Sequence, residues 1–166
     1  MSEGQVAALL LWLVLLAFSL NASLLRTLHA NPLYQHLCLG SAIVLVPLWT
    51  LRAGLHEGLE IHFLGLTSLT LLLGWRLALL APCLTLLILG AFGVTDLAEF
   101  GWQALIGIAL PVATSWLLFL GSWAWLPRHL FVYLFVAAFL GGALSISVKI
   151  LASALLMGMS GAYPWH

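Results

Sequence analysis

The residues able to do chemistry in this chain are crowded into one stretch. Leu55-His56-Glu57-Gly58-Leu59-Glu60-Ile61-His62 carries two of the six histidines and two of the five acids of a 166-residue sequence that is 64% hydrophobic. Ionisable groups set among so much hydrocarbon are costly, so a cluster of them calls for a purpose. Imidazole and carboxylate together suit Ni, Co, Zn or Cu(II), which makes His56, Glu57, Glu60 and His62 candidate metal ligands. The run is not H-E-x-x-H, because Glu60 stands where the second histidine would be. On a helix His56 and Glu60 share a face as i and i+4, while His62 points nearly the opposite way. Convergence of all three therefore needs a break, and Gly58 is the place for it. The same residues also read as a polar connection between two apolar segments, solvated or hydrogen-bonded to neighbours; type and spacing leave both readings open.

The elements that must position this cluster are membrane spans. Only 6% of the residues are charged, against about 25% in soluble domains, and mean hydropathy is +1.17. Ten charged side chains cannot cover a soluble surface, so the sequence predicts an all-α, polytopic membrane helical bundle, with 1–166 as one integral membrane domain. Uncharged runs at 5–25, 33–51, 61–73, 77–92 and 102–120, and a last run from 130 to about 158, give about six transmembrane helices. The first is read as a retained span rather than a signal peptide, since no basic residue precedes it and its apolar core is long. Asn31-Pro32 breaks the polar connection that follows it, and Pro47 falls near the end of the second span, where Trp49 and Arg52 mark an interface. Residues 61–92 are too long for one crossing, so Gly74-Trp75-Arg76 reads as a tight turn between a short span and a second one carrying Pro82. A short span beside a polar cluster suggests a helix that starts within the membrane thickness and lines a cavity. Residues 121–129 read as a Trp-rich interfacial turn, and 130–158 as one long span or a span followed by a re-entrant piece.

Six alternating spans separate the charges. Arg26, Arg76 and Arg128 fall on one side without an acid; Glu3, Glu57, Glu60, Asp96 and Glu99 fall on the other with Arg52. The arginine excess marks the cytoplasmic side, so both termini and the His56–His62 cluster are expected outside. Zero formal net charge argues against nucleic acid or an anionic membrane surface as a partner, and the apolar spans make the lipid bilayer the expected one. Cys38 and Cys83 form no C-x-x-C and read as small buried apolar groups. His29 and His129 are expected to face water and His36 to sit at the cytoplasmic end of the second span; nothing in the spacing pairs His36 with His129 as haem ligands. Lys149 lies well inside an apolar run, at a cost of about 2.5–3.5 kcal/mol on insertion scales, with Glu60, Asp96 and Glu99 as partners to examine. Gly141-Gly142, Ala143, Ser145 and Ser147 permit close helix packing, within the chain or against another subunit. No nucleophile–base arrangement, phosphate loop or redox motif is present, so an enzyme is not expected, and no tightly bound cofactor is expected either.

Two runs carry a resemblance: Gly58-Leu59-Glu60-Ile61-His62-Phe63-Leu64-Gly65 and Leu71-Leu72-Leu73-Gly74-Trp75-Arg76-Leu77-Ala78. Together with Leu89-Gly90-Ala91-Phe92-Gly93 and Leu97-Ala98-Glu99-Phe100-Gly101-Trp102-Gln103, they resemble the cobalt/nickel-specific permease subunits of energy-coupling factor ABC transporters, of the CbiM type. The likeness covers roughly 58–112. It implies a substrate-binding membrane component of an importer in a prokaryotic cell inner membrane, with cobalt or nickel as substrate and separate ATPase and coupling membrane subunits as partners. By the same resemblance His62 aligns with a family metal ligand. The family begins Met-His, whereas this chain begins Met1-Ser2-Glu3, so the implied ligand set is differently composed here, with His56 or Glu60 as replacements. The alternative is a non-transport accessory or assembly protein for a metalloenzyme or respiratory complex on the same scaffold.

Overall fold

The computed structural model describes residues 3–50, 65–96, 99–125, 129, 131 and 133–159. Among them no strand occurs, and the chain is a polytopic helical bundle. The helices are α1 (Glu3–Ser19), α2 (Ala22–Ala30), α3 (Pro32–Thr50), α4 (Leu66–Ala91), α5 (Phe100–Ala104), α6 (Leu110–Trp125) and α7 (Gly141–Met159). Two wider π-helical stretches, Leu105–Ala109 and Tyr133–Leu140, lead into α6 and α7. Pro32–Thr50, Leu66–Ala91, Phe100–Trp125 and Phe135–Leu156 are long and apolar enough to cross a membrane, and α1 with the helix after it forms a further, bent pair. Leu72, Phe18 and Phe139 are 79%, 73% and 69% exposed, which in a bundle of this composition is the surface offered to lipid tails.

Leu66–Ala91 is not one straight rod. Gly74, at φ 79° and ψ 162°, is non-helical inside it. A straight helix would put Gly65 and Thr85 about 30 Å apart, at 1.5 Å per residue. Both instead lie against the same stretch of α3: a β-carbon on Gly65 would sit 3.2 Å from Leu45, and the Thr85 hydroxyl donates to the Ala42 carbonyl at 3.1 Å. The chain therefore folds back at Gly74, so that 66–73 and 75–91 run in opposite directions. This is the turn expected from Gly74-Trp75-Arg76. Glycine is required there because only it takes this positive φ without strain. The first limb, 66–73, rises only about 12 Å, too short to cross a bilayer alone, and it opens at Gly65 with φ 102°.

Several expected boundaries are corrected. The first span stops at Ser19 rather than continuing to residue 25, and residues 26–30, expected in a polar connection, belong to the helix Ala22–Ala30. The chain turns at Asn21, whose carbonyl accepts from the amides of Leu24 and Leu25 and starts α2. Leu24 and Leu28, one turn apart, then pack against Cys38, Ala42, Leu77 and Ala81, while Arg26 and His29 stay exposed. Such a one-sided helix is stabilised by its buried stripe. α6 continues through Trp125, so residues 121–125 are helical rather than part of a turn. Residues 133–159 are helical throughout, which removes the re-entrant alternative for them.

Trp49 is a further correction. It is 2% exposed rather than interfacial, and joins Trp12, Leu45, Leu66 and Leu86 in the main apolar cluster. One helix turn separates Leu45 from Trp49, so both take the face of α3 that meets α4. Cys38 and Cys83 are buried free thiols, as expected.

Candidate functional site

His56, Glu57, Glu60 and His62 all lie outside the described residues. What is described is their setting. The chain leaves α3 at Thr50 and re-enters at Gly65, which is packed on Leu45 and Leu48. The segment bearing the four candidates thus joins two points held together by the core. Arg52 and Arg128 also lie outside the described residues.

Just past Gly65 begins a polar seam. The Thr67 hydroxyl lies 3.1 Å from that of Ser115, and Ser115 lies 2.8 Å from Ser145. Ser145 also donates to the carbonyl of Gly141 at 2.7 Å, with the Pro111 carbonyl at 3.3 Å. A hydroxyl has one proton to give. With Ser145 committed to a carbonyl, Ser115 donates to Ser145 and Thr67 donates to Ser115, so three hydroxyls from three helical segments form one directed chain. Ser115 and Ser145 are 0% and 2% exposed. Both fall near the middle of their spans, Phe100–Trp125 and Phe135–Leu156.

The helices reach this seam by two devices. On the 133–159 helix the buried positions Ala137, Gly141, Ser145 and Lys149 recur every four residues and make one inward stripe. Small residues in this pattern let backbones approach where no hydrophobic driving force separates lipid from side chain. Ala143 and Ser147 point outward, and the Ser147 hydroxyl is satisfied by the Ala143 carbonyl at 2.9 Å. In the 100–125 helix Pro111 lacks an amide to give. The i→i+5 spacing at Leu105–Ala109 just before it accommodates the break in the ladder, and the Pro111 carbonyl lies 3.3 Å from the Ser145 hydroxyl.

Lys149 extends the seam by one turn and is 8% exposed. It is buried in the protein rather than turned to lipid, as intramembrane ionisable groups generally are. Asp96 and Glu99, two of the acids named as its partners, are exposed. His29, His36 and His129 are exposed too, and among the described residues no three His, Cys, Asp or Glu side chains come together. The hydroxyl seam was not anticipated. Its only sequence signal was the Gly141-to-Ser147 run of small residues, which does not reveal that Thr67 and Ser115 would meet it.

A multi-pass helical membrane protein with a mid-span polar seam, flanked by a short helical limb that starts at a left-handed glycine, has the build of a substrate-handling transporter component. The chain belongs to the CbiM family, described as the cobalt uptake substrate-specific transmembrane region, whose family model it matches over residues 2–166. The comparisons with curated proteins and with solved structures returned no match. The family description is of uptake across a membrane and not of catalysis.

Proposed function

We propose that this protein is the substrate-binding membrane component of an energy-coupling factor type importer for a divalent transition metal, cobalt or nickel. The match to the cobalt uptake family along essentially the whole chain carries this reading. His62 is the principal ligand, with His56, Glu60 and Glu57 completing the set; cobalt and nickel both accept imidazole and carboxylate. The described residues bring Thr50 and Gly65, the ends flanking the candidate segment, together over a core.

In this reading the cluster faces outward together with both termini, as the arginines at the opposite end require under the positive-inside rule. The chain contains no phosphate loop, so a separate ATPase and a coupling membrane subunit drive transport. The bound ion is cargo, held by neutral imidazoles whose affinity falls as they are protonated at low pH.

The test is metal content and uptake. Purified wild type should carry a stoichiometric amount of cobalt or nickel, and His62→Ala should lose it while staying folded. A deletion strain complemented with His62→Ala should take up no more metal than the empty strain. Wild-type protein that binds neither ion above background by calorimetry would overturn the assignment.

A further inference from the structure

A cleft lies at the end of the bundle away from Thr50 and Gly65. The Ser19 hydroxyl donates to the Arg76 carbonyl at 3.3 Å, which fixes the end of α1 beside the Gly74 turn. Together with α2 and the start of α3, these elements enclose an open cleft of about 330 Å³. That is the lower end of the range for small-molecule sites. Its lining is divided. Leu24, Leu28, Leu73 and Leu77 form an apolar wall, while Thr27, Tyr34 and Arg76 supply hydroxyls and a guanidinium. Trp75 and Trp116 complete it, and the Arg76 guanidinium carbon stands 5.2 Å from the centre of the Trp75 ring. Stacking of this kind holds a guanidinium in place.

Arg76 is the one charged side chain among the residues lining the cleft, and it is a cation. Arg26 is exposed on α2 but does not line the cleft. The described acids, Glu3, Asp96 and Glu99, belong to the other end, where Gly101 packs against Ala8 and Leu9. Aromatic rings, a snorkelling arginine and a one-sided helix place the cleft at the membrane interface.

We propose that this cleft binds an anionic phospholipid, with the headgroup phosphate on Arg76, Tyr34 and Thr27 and the upper part of an acyl chain along Leu24, Leu28, Leu73 and Leu77. A basic pocket between helices at an interface has the chemistry for a phosphate-bearing headgroup. The apolar wall has no use in binding a free phosphate ion, and it selects the lipid. The site would tie α2 and the Gly74 turn to the membrane independently of the metal site, so it stands whether or not the protein carries metal.

The experiment is a titration of the full chain in detergent micelles, read by native mass spectrometry. Phosphatidylglycerol is compared with phosphatidylcholine of the same chains, in wild type, Arg76→Gln, Arg76→Lys and Arg26→Gln. Wild type should retain phosphatidylglycerol at least about fivefold better, the factor expected for one cation near the headgroup. Arg76→Gln should remove that preference, whereas Arg76→Lys and Arg26→Gln should keep it. Equal thermal stability of the four proteins in phosphatidylcholine shows that the fold is intact; should Arg76→Gln unfold, the Arg76→Lys and Arg26→Gln comparison is repeated with Tyr34→Phe, which should weaken phosphatidylglycerol alone. The proposal is overturned if wild type binds the two lipids equally, if Arg26→Gln loses as much as Arg76→Gln, or if inorganic phosphate displaces phosphatidylglycerol as well as the lipid itself does.

Discussion

Two helices approach closely at Gly101, and the contact yields a sharp test. A β-carbon built on Gly101 would sit 2.6 Å from the Leu9 amide nitrogen and 3.0 Å from the Ala8 carbonyl carbon and the Leu9 α-carbon. Comfortable separation for such atoms is about 3.5–4.0 Å, so α1 and α5 would have to part by about 0.5–1 Å. The obstacle is backbone, which cannot swing aside as a side-chain tip can. Nor is α1 free to retreat, because Trp12, one turn further on, is 1% exposed and locked in the main cluster. Gly101→Ala should therefore destabilise the protein by about 1–3 kcal/mol, the range for overpacking, despite alanine's better helix propensity. Gly121→Ala is the control: it also lies in a helix, but a β-carbon there meets nothing within 4 Å. It should be neutral or stabilising by up to about 1 kcal/mol. Unfolding of both variants in mixed micelles, followed by helical circular dichroism, measures the difference. Equal stability of the two would refute the close packing of α1 on α5.

Two further outcomes follow from the geometry. Gly74→Ala should cost about 1–3 kcal/mol in the same unfolding assay, because φ 79° strains any side-chain-bearing residue even though the space around it is open. A double-mutant cycle on Ser115→Ala and Ser145→Ala should return a coupling near 0.6 kcal/mol, the average for hydrogen bonds between membrane helices; zero coupling would mean that the 2.8 Å contact contributes nothing in the bilayer.

The membrane class, the helical architecture and the fold-back at Gly74 were legible because each rests on local chemistry: apolar length, and a glycine beside an arginine in the middle of a run too long to cross once. The bend after Ser19 was less visible, since Leu20 to Leu25 stays apolar and only Asn21 marks the turn. Trp49 misled because tryptophan near the end of a span ordinarily sits at the interface; its place in the core depends on residues distant in sequence, from Trp12 to Leu86, gathering into the same cluster. The seam was hidden for a similar reason. Thr67, Ser115 and Ser145 are unremarkable singly, and only the folded bundle aligns them. The four candidate ligands were picked out by residue type and clustering, His62 also by the family resemblance, and they fall in the stretch outside the described structure.

The π-helical turn at Leu105–Ala109 has a consequence for how this helix can vary. An α-helix advances about 100° with each residue, and the wide turn accommodates one residue more than regular winding would. Deleting a single residue there would restore ordinary winding and leave everything beyond it in phase, whereas deleting one from the regular winding between Leu110 and Ser115 would rotate everything beyond it by about that angle. Ser115 would swing away from Ser145, and Trp116 would leave the wall of the distant cleft, although neither had been substituted. Phase, set by the number of regularly wound residues ahead of Ser115, is thus as binding on both sites as the identity of any side chain within them.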